Sequence, residues 1–176
     1  MTTIAWDGKT LAADKRSASK SGPITIITKI FNIDGVLVGT SGAGPQCSML
    51  LDWAKTKFDP EKYPFKDPKE YSRILVINQD KTVLEYDTYS KYPEVIENPF
   101  YAIGSGRAYA MAAMHCGKTA IEAVEIAAAY DINSGNGIDT LTLDDAVTTD
   151  TVSIAVENQA ELLIRLRDDI VICRSL

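Results

Sequence analysis

Met1-Thr2-Thr3-Ile4-Ala5-Trp6-Asp7-Gly8-Lys9-Thr10-Leu11-Ala12-Ala13-Asp14 decides how the rest of the chain is read. Thr2 to Trp6 is rich in β-formers, Asp7-Gly8 is a strong hairpin turn, and Lys9 to Ala13 returns. A tight turn would set Trp6 opposite Lys9 and Thr2 opposite Ala13, with Asp14 one step beyond, beside the start of the chain. Aminopeptidases readily remove an initiator Met in front of a small residue such as Thr. The mature chain would then begin with a hydroxyl and a free amine on one residue, next to a carboxylate. An N-terminal nucleophile is built in that way: the hydroxyl attacks and its own amine is the base.

A second hairpin repeats the design. Ile30-Phe31-Asn32-Ile33 and Val36-Leu37-Val38-Gly39 flank Asp34-Gly35, which predicts Ile33 opposite Val36 and Lys29 opposite Thr40. Lys29 and the Ser41-Gly42-Ala43-Gly44 loop therefore also meet at an open hairpin end. Two hairpins that are apolar along their length and polar at their rims can bring Thr2, Asp14, Lys29 and Gly42 together if the rims coincide.

At 176 residues and 19.2 kDa, the chain fits a single domain over 1–176 with a substantial core. Its 45% hydrophobic and 24% charged residues are those of a soluble globular protein. A net charge of −6 and no basic stripe argue against a nucleic-acid partner, which demands phosphate neutralisation. No signal peptide is visible and no apolar run is long enough for a membrane span. Cys47, Cys116 and Cys173 are widely spaced and odd in number, which points to reduced thiols and a cytoplasmic location. His115 is the sole histidine and is expected to pack inside an Ala/Met-rich helix, so triads that need a histidine base have little to draw on.

Beyond the hairpins, Pro45 to Phe58 reads as a helix with Met49, Leu50 and Trp53 as its apolar stripe. Residues 59–70 read as an exposed connection. Ile74–Asn78 and Thr82–Tyr86 form a third strand pair, and Tyr101–Ile103 is a short strand running into Gly104-Ser105-Gly106. Helices follow at Arg107–Cys116 and Thr119 to about Tyr130, the second with the capping-box pair Thr119 and Glu122. Strands resume at Ile138–Leu143 and again at Val152–Val156. This order predicts an α+β fold, with helices covering the outer faces of two stacked antiparallel sheets in a four-layer αββα sandwich.

Three glycine-containing loops invite other chemistry. Gly39 to Gly44 lies between strand and helix, but no Gly-Lys-Ser/Thr follows and the glycine spacing is not that of a dinucleotide site. Asp131 to Gly137 starts like a calcium loop, yet Asn136 stands where that loop needs Gly and Thr142 where it needs Glu. A helix C-terminal turn is the simpler role for it. Gly104-Ser105-Gly106 reads on its own as a strand-to-helix turn with Ser105 as N-cap. No cofactor and no metal is expected.

Taken in order, Thr2-Thr3-Ile4, Ala12-Ala13-Asp14, Thr28-Lys29-Ile30, Gly39-Thr40-Ser41-Gly42, Ala102-Ile103-Gly104-Ser105-Gly106 and Asp131-Ile132-Asn133-Ser134-Gly135 resemble the proteasome β-subunit family, above all its bacterial HslV-type peptidase branch. The resemblance runs from residue 2 to about 143, and the tail from Asp144 matches only loosely. It implies the N-terminal-nucleophile hydrolase fold and a threonine endopeptidase. Thr2 would correspond to the nucleophile, Asp14 and Lys29 to the carboxylate and lysine beside it. Ser105, Asp131 and Ser134 would correspond to the polar cluster around the terminal amine. Gly42 would match the glycine whose N–H stabilises the oxyanion, although the loop aligns equally one residue either way. The family's double glycine here reads Gly42-Ala43, and the segments from Thr2 to Asp14 and from Asp14 to Lys29 are shorter than usual.

The implied protein cleaves unfolded polypeptides inside a homo-oligomeric ring, a hexamer or heptamer that can stack in pairs, and is fed by an ATP-dependent unfoldase. The paired helices at 107–130, with their Ala/Met surfaces, are the expected subunit contact. Two other readings remain open: a ring-forming scaffold that keeps the fold without cleaving, should Met1 be retained, and an amidase using the same nucleophile on a small amide.

Overall fold

The structure, a computed structural model, describes residues 2–18 and 22–143. The expected strand Val152–Val156, Cys173 and the state of Met1 lie outside the described residues. In chain order the elements are β1 (Thr3–Trp6), β2 (Thr10–Asp14), β3 (Arg16–Ser17), β4 (Thr25–Ile26), β5 (Ile30–Ile33), β6 (Val36–Ser41), α1 (Gly44–Ala54), β7 (Arg73–Ile77), β8 (Val83–Asp87), β9 (Glu94–Ile96), β10 (Tyr101–Gly104), α2 (Arg107–His115), α3 (Ala120–Tyr130) and β11 (Ile138–Thr142). One antiparallel sheet has the order β10-β1-β2-β11, a second the order β5-β6-β7-β8-β9, and β3 pairs with β4 as a separate ribbon. The α+β class is as the sequence predicts.

Period-two alternation distributes the side chains among three cores. Ile4, Trp6, Leu11 and Ala13 of the four-stranded sheet pack with Ile30, Leu37, Leu75, Ile77 and Val83 of the five-stranded one. The intervening residues Ala5, Ala12 and Ala102 turn the other way, onto Ala110, Ala120, Ala123, Val124 and Ala127 of α2 and α3. Small residues on both surfaces let these helices lie close to the sheet. On β6 and β7, Val38, Ile74 and Val76 meet Leu50 and Trp53 of α1, where Trp53 stands edge-on to Phe58, Tyr63 and Tyr86. Each large side chain so enclosed is worth about 1.5–3 kcal/mol of transfer free energy.

The second hairpin has the expected register, with Ile33 opposite Val36 and Thr40 N–H donating to Lys29 O at 3.0 Å. The first does not. Trp6 pairs with Leu11, not Lys9, and Ile4 with Ala13, so the connection is a longer loop. Its cause is the Asp7 carboxylate, whose Oδ1 accepts from Lys9 N–H (3.0 Å) and Thr10 N–H (2.7 Å) while Oδ2 accepts from Ala120 N–H (2.8 Å). Asp7 thus folds the turn over itself and ties it to the first turn of α3. A slip of two residues leaves every side chain on its expected face. It also moves Asp14 level with Thr3 instead of beyond Thr2. Asp7→Ala removes the acceptor for three amides and should destabilise the fold by about 2 kcal/mol. The midpoint of urea unfolding measures this, with an unchanged midpoint counting against the role given to Asp7.

Other boundaries shift. α1 ends at Ala54, short of the expected Phe58, because Lys57 and Phe58 adopt φ of 58° and 56°, which no right-handed helix tolerates. Met49 is exposed, not part of the buried stripe. His115 is likewise exposed, at the last turn of α2. The α3 capping box forms as read, with Thr119 and Glu122 each accepting from the other's backbone N–H. The short strands β3, β4 and β9 have no counterpart in the sequence reading; they carry too few residues for alternation to register.

Candidate active site

The open ends of the two hairpins coincide. Asp14 closes β2, Lys29 precedes β5, and both are buried, at 1% and 3% exposure. Lys29 Nζ donates to Asp14 Oδ1 (2.8 Å) and to Arg16 O (2.6 Å). Asp14 Oδ1 also accepts from Thr3 N–H (2.8 Å), and its Oδ2 accepts from Gly135 N–H (2.9 Å) and Arg16 N–H (3.0 Å). A buried carboxylate is tolerated only when its lone pairs are filled, and these are. Burial pulls the Lys29 pKa below its ordinary value, against the opposing pull of Asp14 and Asp131.

Thr2 sits at the head of β1 and is itself 4% exposed. Its N–H donates to Ser105 Oγ at 3.2 Å. Ser105 donates in turn to Asp131 Oδ2 (2.6 Å), which also accepts from Ser134 Oγ (2.8 Å). With the Ser134 proton so committed, Thr3 Oγ1 is the donor in its 2.6 Å contact with Ser134 Oγ. Burial works to raise the Asp131 pKa, but hydrogen bonds from Ser105, Ser134 and Asn133 outweigh it and hold the carboxyl below its ordinary value. Ser105 is therefore not the N-cap of α2. That position is Gly106, without a side-chain cap, and a Cβ there would lie 2.0 Å from Thr3 Oγ1.

Gly42 follows β6 with φ of +138°, and a Cβ would lie 2.2 Å from Ser72 Oγ, so only glycine fits. The neighbouring Ala43 N–H is committed to Ser72 Oγ at 2.9 Å, whereas no hydrogen bond from Gly42 N–H is found among the described residues. Between Gly42 and Ala43, Gly42 is thus the residue with a donor to offer. Two clefts share it. One, of 290 Å³, is lined by Thr2, Lys29, Gly42, Cys47, Phe31 and Leu51. The other, of 920 Å³, is lined by Gly42, Tyr71, Arg73, Gly104, Ser105 and Asn133. Burial pushes the Cys47 thiol up, which makes it a poor nucleophile. A third hollow, beneath Phe58 and Tyr86, holds none of these residues.

All seven residues singled out in the sequence, Thr2, Asp14, Lys29, Gly42, Ser105, Asp131 and Ser134, lie in or around this one constellation. The sequence reading missed Thr3, Arg16, Ser72 and Gly135, which position them. Arg16 and Gly135 act through backbone groups, Thr3 through its N–H and hydroxyl, and Ser72 through its hydroxyl; only Thr3 and Gly135 stood inside motifs visible in the sequence. No cluster of three or more His, Cys, Asp or Glu able to hold a metal occurs among the described residues. No helix among them is long and apolar enough to cross a membrane.

Chemically, the arrangement presents a hydroxyl and a nitrogen on one residue. A buried ammonium lies beside that residue, a hydroxyl–carboxylate relay contacts its nitrogen, and a backbone N–H is available across the cleft.

No protein-family model matches the chain, and no curated protein matches it in sequence. Solved structures do. The Thiobacillus denitrificans BPH protein superposes with a TM-score of 0.59 at 20% identity, over 80% of this chain and 95% of that one. The same protein in complex with epoxomicin gives 0.60 at 19% identity, over 80% and 96%. Eukaryotic HslV from Trypanosoma brucei gives 0.62 at 20% identity, over 80% and 97%. The fold of this chain is that of the HslV and proteasome β-subunit family.

Proposed function

We propose that the chain is a threonine endopeptidase subunit in which Thr2, exposed by loss of Met1, is the nucleophile. The observation that carries this reading is the Thr2 N···Ser105···Asp131 relay beside the buried Lys29–Asp14 pair. An ordinary surface ion pair would account for neither the burial of Lys29 nor the four donors gathered on Asp14.

Thr2 Oγ attacks a peptide carbonyl carbon while its proton passes to the Thr2 α-amine. That amine has a reference pKa of about 7.7–8.0, already near neutrality, and the Lys29 cation favours its uncharged form. Ser105 accepts an amine N–H, which turns the nitrogen lone pair away from Asp131 and toward the hydroxyl. The oxyanion takes the Gly42 N–H; one such donor is typically worth about 2.7–4 kcal/mol. The amine then gives its proton to the leaving nitrogen, the C–N bond breaks, and an ester remains. Water, deprotonated by the same amine, releases the acid.

The leaving nitrogen must lie beside the amine that protonates it. Thr2 N faces Ser105, so the departing segment occupies the 920 Å³ cleft on that side. The side chain before the scissile bond enters the 290 Å³ cleft between Lys29 and Cys47.

The same reading takes the chain as one domain, a four-layer αββα sandwich in a cytoplasmic ring of six or seven copies, stacked or single. An ATP-driven unfoldase delivers polypeptide to it. Exposed Tyr109, Ile121 and Tyr130 on α2 and α3 offer a subunit contact.

Processing is the test. A residue ahead of Thr2 turns the basic amine into an amide nitrogen. Protein beginning at Thr2 should hydrolyse an unfolded polypeptide, and a variant that retains Met1 should be folded and inactive. Intact mass and proteolysis, measured on the same sample, decide this. Full activity with Met1 in place would rule out the self-base mechanism, and inactivity of both forms would favour the scaffold.

A further inference from the structure

Arg73 opens β7 directly across from Ser41 of β6, one residue before Gly42. It shares the face of Leu75 and Ile77, which look into the space between the sheets, and there it lines the 920 Å³ cleft. Its position is fixed from two sides. Nη1 donates to Glu85 Oε1 at 2.9 Å, and the guanidinium carbon stands 4.6 Å from the centre of the Tyr71 ring, itself stacked on Tyr89. Glu85 is buried, with Arg73 as its ion-pair partner and the Tyr101 hydroxyl as a further hydrogen-bond donor.

A guanidinium carries five N–H donors in a rigid fork. Among the described residues, the bond to Glu85 is the one hydrogen bond that the Arg73 guanidinium makes. The catalytic scheme has no use for it.

We propose that Arg73 sets specificity on the leaving-group side, by taking a carboxylate carried within the first two residues after the scissile bond. This rests on the peptidase reading and on the assignment of this cleft to the departing segment. A carboxylate matches the remaining fork in a bidentate way that an amide or hydroxyl does not. The other charged residue on the cleft wall, Glu70, is exposed, and a hydrated, mobile charge contributes little against a fixed one. Two sources supply the chemistry: an Asp or Glu side chain, or the terminal carboxylate of a short leaving peptide.

The test uses full-length protein processed to Thr2 and peptides that share one acyl segment. Leaving segments carry Ala, Asp or Glu at the first or second position with an amidated end, or Ala-Ala with a free carboxylate. An arylamide of the same acyl segment serves as the reference substrate. The readout is kcat/KM for each peptide divided by that for the arylamide within each variant, so any general change in turnover cancels. Wild type should favour carboxylate-bearing segments by about tenfold. Which series shows the preference identifies its source. Arg73→Gln alone would strand Glu85, so the variant is the double Arg73→Gln, Glu85→Gln, in which the preference should vanish. Glu85→Gln alone should sharpen it. A preference that survives the double variant, or wild type that cleaves every peptide without one, overturns the proposal. Failure of processed wild type to cleave even the arylamide overturns the peptidase reading, and this inference with it.

Discussion

Thr2→Ala should reduce hydrolysis of an unfolded protein to background, a loss of about 10⁴-fold or more, as removal of a covalent nucleophile generally does. Stability should move by less than about 1 kcal/mol, since Thr2 Oγ anchors no hydrogen bond found among the described residues. Thr2→Ser should keep part of the activity, because a primary hydroxyl can attack from the same position. The neighbouring residue is the instructive control. Thr3 also bears a hydroxyl, but it is fully buried and committed to Ser134 at 2.6 Å. Thr3→Val should lower stability by leaving the Ser134–Asp131 relay short of a donor, while the nucleophile remains. Turnover of a casein-like substrate and urea midpoints, measured for all three variants, separate the two threonines. Wild-type turnover in Thr2→Ala would remove Thr2 from the chemistry altogether.

What the sequence made legible followed from how local each signal is. The Asp34-Gly35 hairpin was read in its true register because its turn residues alone specify the geometry, with φ of 51° and 83°. Asp7-Gly8 carries the same signature and misled, because Asp7 had a remote partner: Ala120 N–H, more than a hundred residues away, helps to hold the longer loop. Ser105 shows the same limit. By itself Gly-Ser-Gly before a helix is a cap, and it became part of a relay only because α3 delivers Asp131 to within 2.6 Å. The ordered set of motifs named the seven residues that the structure brings together. Neither Ser72, which occupies Ala43 N–H and so distinguishes it from Gly42, nor Arg73 belonged to any motif.

Lys29→Met and Asp14→Ala should fail in different ways, although they break the same ion pair. Without Lys29, the Asp14 carboxylate keeps the N–H donors of Thr3, Arg16 and Gly135, so it stays solvated by the backbone and the fold should lose only about 1–2 kcal/mol. Turnover should nevertheless fall by orders of magnitude, since the Thr2 amine loses its neighbouring cation. Removing that positive charge favours the protonated amine, so the acid limb of kcat/KM should move to higher pH in Lys29→Met. In wild type that limb should lie at or below about 7.7–8.0. The alkaline limb should report loss of the Lys29 proton below the ordinary lysine range, in keeping with the direction in which burial moves it. Asp14→Ala instead takes the anionic partner from Lys29, which keeps Arg16 O, and the acceptor from three backbone amides at once, and removal of one partner from a buried pair costs about 3–5 kcal/mol. That variant should be strongly destabilised. Near-wild-type turnover with an unshifted acid limb in folded Lys29→Met would return the pair to a purely structural role. The contrast between the variants carries the point: a lysine kept only for stability would be missed most by the fold, and this one should be missed most by the amine.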